Sequence, residues 1–145
     1  MRRHKLLVTG TFMVLAFSSA AFAGDFDWVK DLNIRAESDL SGFKAQLATR
    51  FKIGNAEINA VISNVAQPAD AYVVLRLGEM SHQPTDYVIR QYHADKGRGW
   101  GVLAKGLGIK PGSKEFHELK RGHDLYGSGV GGPGKGRGKG KGQKS

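Results

Sequence analysis

Residues 84–121 stop and restart a helical pattern twice, which confines that part of the chain to short helices. Val88, Ile89 and Tyr92 make one apolar face on a helix opening near Pro84, where a proline suits the first turn. The run Asp95-Lys96-Gly97-Arg98-Gly99 breaks it. Trp100, Leu103 and Leu107 then resume the three-and-four spacing of a helical stripe. Gly108 stands where a left-handed helix end favours glycine. Lys110-Pro111-Gly112 is a turn, and Ser113 is a good N-cap for a last helix facing inward with Phe116 and Leu119. This stretch is expected to be the centre on which the other helices pack, with Trp100 buried against the helices of residues 40–51 and 58–65.

Upstream, Trp28 and Leu32 give residues 25–34 a short amphipathic face. Ser38 is a candidate cap for the next helix, whose face is Leu40, Phe43, Leu47 and Phe51, with Gly54 as its stop. Asn55 can cap a helix carrying Ile58, Val61, Ile62 and Val65 inward. Pro68 and Asp70 look like a further start, ahead of Tyr72, Leu75 and Glu79. Residues 71–77 also have the composition of a buried strand. Helix is preferred, because no second strand of comparable quality is available to pair with one. The expected fold is all-α, a small orthogonal bundle of five to six short helices.

Both ends of the chain read differently. Residues 1–23 have the form of a secretory signal peptide. Arg2, Arg3 and Lys5 precede an apolar run over 6–17, and Ala21-Phe22-Ala23 offers a cleavage pattern before Gly24. The run is too short to span a bilayer comfortably, and nothing later is apolar enough to do so. A periplasmic or secreted destination follows. There is no cysteine, so disulfides cannot hold the exported chain together. Residues 24–125 read as one helical domain. Residues 126–145 read as a disordered, low-complexity tail, because glycine alternating with lysine buries too little surface to offset ordering.

Charge divides along the same boundary. The whole chain carries +9, of which the tail holds +5, in Lys135, Arg137, Lys139, Lys141 and Lys144, with no acid. The leader holds another +3, which leaves the body near +1. A nearly neutral body argues against a basic nucleic-acid module. The tail's five cations are the candidate anion-binding residues, acting by counterion release without sequence readout.

Other chemistry is sparser. His82, His93, His117 and His123 lie near Glu79, Asp86 and Asp95 in sequence, which keeps open a periplasmic metal-binding protein with His and carboxylate ligands. Glu79 and His82 have the i, i+3 spacing of di-iron bundles, but Glu115 and His117 do not repeat it. No HExxH, G-x-S-x-G or P-loop pattern is present. Gly97-Arg98-Gly99-Trp100-Gly101 is glycine-rich ahead of a helix, yet lacks the strand a phosphate loop needs. Residues 100–119 approach a DNA-binding helix-turn-helix, but the turn from Ile109 is long and Lys114 falls where an apolar anchor belongs.

The segments Pro68-Ala69-Asp70-Ala71-Tyr72, Leu75-Arg76-Leu77-Gly78-Glu79-Met80, Gly99-Trp100-Gly101, Leu107-Gly108-Ile109-Lys110-Pro111-Gly112-Ser113 and Glu115-Phe116-His117 together resemble a region of exported bacterial helical proteins. The resemblance implies an all-helical domain and export, and it carries no activity. The expected function is therefore an exported, non-enzymatic binding module, without cofactor, whose tail meets an anionic surface or polymer such as lipopolysaccharide or extracellular DNA.

Overall fold

The structure is a computed structural model that describes residues 24–126. Among them the chain forms seven helices and no strand: α1 (Trp28–Ser38), α2 (Leu40–Phe51), α3 (Asn55–Ser63), α4 (Pro68–Ser81), α5 (Thr85–Ala94), α6 (Trp100–Gly106) and α7 (Lys114–Arg121). The all-α expectation holds, with seven helices where five or six were expected. The leader and the tail cations lie outside the described residues.

The centre is α4, not the punctuated stretch 84–121. Ala69, Asp70, Ala71, Tyr72, Val73, Val74, Leu75, Leu77 and Gly78 are all buried on it, and α1, α2, α3 and α5 pack around it. A helix enclosed on most sides needs apolar residues all round rather than in one stripe. That is why residues 71–77 read as ambiguous between helix and strand, and the structure settles them as helix. Pro68 fills the first turn, and α1 supplies what α4's N-terminus lacks: Asn33 Oδ1 accepts the Ala69 N–H at 3.2 Å while Asn33 Nδ2 donates to Glu37. Gly78 allows α5 to come close, since a Cβ there would sit 3.1 Å from the Gln83 carbonyl oxygen.

Several caps match the sequence and several do not. Ser113 caps α7, accepting the Phe116 N–H at 3.2 Å, and Gly108 is left-handed at φ +89°. Ser38 is not the cap of α2. It ends α1, its hydroxyl donating to the Arg35 carbonyl, and Asp39 accepts the Gly42 N–H instead. Residue 54, not Asn55, is the N-cap of α3, and α2 ends earlier, at a left-handed Lys52. Leu40 is exposed rather than part of α2's inner face.

The last elements close back on the first. Phe26 meets Phe116 edge to face, with ring centroids 6.4 Å apart, and Lys120 pairs with Asp25 at 3.2 Å. Leu125 is buried, and the Arg35 guanidinium lies 4.9 Å over the Tyr126 ring.

Candidate functional site

The histidines do not converge. His82 is exposed at the left-handed end of α4, and Glu79 turns away from it to bind Arg50 and Arg76. His93 is exposed with its ring edge on Tyr92, and His117 is exposed on α7. Asp86 pairs with Arg90, and Asp95 with Arg98. Among the described residues no group of three or more His, Asp or Glu side chains is placed to hold a metal ion. In the stretch compared with a helix-turn-helix, α6 has seven residues, and Lys114 is exposed at the start of α7.

Two polar constructions occupy opposite sides of α4. The first is a latch. Arg50 of α2 grips both oxygens of Glu79 at 3.0 and 3.1 Å and reaches Asp124 at 2.8 Å. Arg76 meets the same Glu79 at 2.6 Å and Glu118 of α7 at 3.6 Å. The Tyr72 hydroxyl donates to Asp124 Oδ1 at 3.0 Å and accepts the Asp124 N–H at 3.2 Å. Burial works against ionisation of Glu79 and Asp124. Their arginine partners outweigh it, helped at Asp124 by Tyr72, and hold both carboxyls below their ordinary range. Beside the latch, the His123 ring lies 5.7–6.2 Å from those of Trp28, Tyr72 and Tyr126. Burial first, and Arg35 second, lower its pKa. Trp28 Nε1 and His123 Nδ1 are buried with no hydrogen-bond partner.

The second construction is a cleft of about 360 Å³, lined by residues of the α3–α4 link, α4, α5, the 95–99 turn and α6. Asp70 lies in its wall, 8% exposed. The Tyr92 hydroxyl donates to Asp70 Oδ2 at 2.7 Å and accepts the Ala66 N–H at 3.0 Å. Burial raises the Asp70 pKa against the opposing pull of Tyr92 and the Gln67 backbone. Burial also pushes the Tyr92 hydroxyl up to about 12. Trp100 stacks on Tyr92, with centroids 5.6 Å apart and planes 24° from parallel. It is only partly buried, and its ring partner is on α5, not on the α2 and α3 faces expected to cover it. Gly99 makes this possible: at φ +91° it turns the chain sharply into α6.

Gly97 and Gly99 of the glycine-rich stretch line this cleft. The cleft carries two carboxylates, Asp70 and Asp95, and Lys96. Neither construction was legible as a site. Asp70 reads as a helix-start residue, which it also is, and nothing local in the sequence links it to Tyr92 across 22 positions. No family model, curated protein or solved structure matches the chain.

Proposed function

We propose that the protein is an exported, non-enzymatic binding module whose C-terminal cations fasten it to an anionic surface or polymer of the cell envelope. The observation that carries this reading is the segregation of charge. All thirteen acidic residues lie in 24–126 together with fourteen basic ones, whereas 127–145 hold five basic residues and no acid. Much of the body's positive charge is spent internally, on the Arg50, Arg76, Arg90, Arg98 and Lys120 pairs. The latch supports the reading by fixing the root of the tail, since Asp124 is bonded to Arg50 of α2 and Tyr72 of α4, and Leu125 is buried. Among the described residues no helix is long and apolar enough to cross a membrane. The leader's n-region, apolar run and Ala-x-Ala pattern support export.

Deleting 127–145 is expected to abolish most binding to heparin, DNA and lipopolysaccharide vesicles while leaving the helical circular dichroism unchanged. For the intact chain, log affinity against log salt is expected to slope at about −4 to −5 at most, one counterion per cation. Equal binding by the truncated body would move the site onto the folded domain and sink this reading.

A further inference from the structure

Asp70 is the one buried charged side chain among the described residues, and no basic group pairs with it. Buried charges are ordinarily paired, because an isolated one loses its hydration without replacement. Asp70 has the Tyr92 hydroxyl, the Gln67 backbone and the N-terminal dipole of α4, all of them neutral groups. These occupy two of roughly four lone-pair positions on the carboxylate. The helix-start role explains where Asp70 sits. It does not explain why a full carboxylate is kept on the wall of a cleft.

We propose that this cleft binds a small primary ammonium ion bearing a flat apolar body, with the ammonium group on Asp70 and the body against the stacked Trp100 and Tyr92 rings. The volume of about 360 Å³ is at the small end of the range for ligand clefts, about 300–1,000 Å³. Ala66 and Leu103 complete the apolar wall. The sign of the charge selects the class of ligand: an anion would face both Asp70 and Asp95, and a neutral apolar molecule would leave Asp70 as unpaired as before. A bare metal ion would lack ligands, since among the described residues no third His, Asp or Glu joins the two carboxylates. An ammonium ion supplies the missing counter-charge and donates to the free lone pairs, and aromatic faces attract cations as well as apolar rings. Arg98 is engaged with Asp95 at 3.4 Å, and Lys96 is exposed at the cleft. The inference uses no residue of the tail and stands whether or not the tail binds polyanions.

Benzylammonium chloride is the probe, titrated into the full chain and followed by amide chemical-shift mapping. Saturable shifts are expected at residues 66, 70, 92, 95–100 and 103, while benzyl alcohol and benzoate saturate nothing. Asp70→Asn is expected to weaken binding about 10- to 100-fold, the worth of one charge-assisted hydrogen bond. Trp100→Leu is expected to weaken it several-fold. If Asp70→Asn does not fold, the wild-type shift map and Trp100→Leu decide between the outcomes. The proposal is overturned if benzylammonium gives no saturable shifts, if benzyl alcohol or benzoate binds as well, if the shifts fall outside the cleft, or if a folded Asp70→Asn chain binds undiminished.

Discussion

On the side of α4 that meets α2 and the C-terminal segment, every carboxylate has a cation in reach: Glu79 has two arginines, and Asp124 has Arg50 and the Tyr72 hydroxyl. On the side that meets α5 and α6, Asp70 has a phenol and no cation. The same helix thus carries a saturated network on one flank and an unsaturated carboxylate on the other. Saturation closes a surface, because every lone pair already has a partner in the fold. An uncompensated charge in a cleft leaves binding energy for something outside the fold. The latch is accordingly a structural device, and the cleft is where a ligand gains most.

Paired truncations give the largest effect. Tyr72 is 1% exposed and central to the latch, so Tyr72→Ala should cost about 3–5 kcal/mol, the range for buried aromatic truncations. Trp100 is partly buried, so Trp100→Ala should cost only about 1–2 kcal/mol for the apolar area it covers. Urea melts of the two variants check this, and equal costs would erase the distinction between the flanks.

Acidification should act first at His123, beside the latch, and only later on the latch itself. The folded pKa of His123 lies below 6.5, so below that pH the unfolded chain takes up the proton before the folded one. Stability contributed by the neutral ring is complete above pH 6.5 and falls as the pH drops toward the folded value. Glu79 and Asp124 add stability that is lost only as the pH falls through their own depressed values, below 4.5 and 3.8, a separate and lower window. His123→Phe should therefore flatten Tm against pH just below 6.5, and leave the steeper acid limb in place. A slope that survives the substitution would assign that window to other groups.

The smallest effect is expected at the cleft. The Asp70 carboxyl is raised above 3.8, so its cost to the fold grows as the pH rises through the folded value and is present in full at neutral pH. Asp70→Asn keeps an acceptor for Tyr92 and removes that cost. Its Tm near pH 7 should equal or exceed the wild type by up to about 4 °C. A clearly lower Tm would show that the carboxylate is needed by the fold itself.

The helices were legible wherever one flank faces water. Phe43 and Leu47 of α2, Phe116 and Leu119 of α7, and the stops at 95–99 and 108 follow directly from spacing and glycine placement. The hub was not legible, because a helix surrounded by partners has no polar stripe to reveal its period, and Ala71-Tyr72-Val73-Val74-Leu75 reads the same in either secondary structure. Trp100 misled for a related reason. Size and glycine neighbours suggest burial, but stacking on one partly buried tyrosine satisfies an aromatic ring nearly as well. The cleft and the latch join residues far apart in sequence, and no local rule brings Asp70 to Tyr92 or Tyr72 to Asp124.

The latch also sets an order of events in time. Its two Asp124 contacts join residues 74 and 52 positions apart, and the Phe26–Phe116 contact spans most of the domain. A chain emerging N-terminus first can join α2 to α4 through Arg50 and Glu79, but the latch stays open until Asp124 exists to close it onto Arg50 and Tyr72. Contacts of such long reach reward the fold only after the whole intervening loop has been closed. Completion thus waits for the last turn of the domain, so the C-terminal residues act as the closing clasp of the fold.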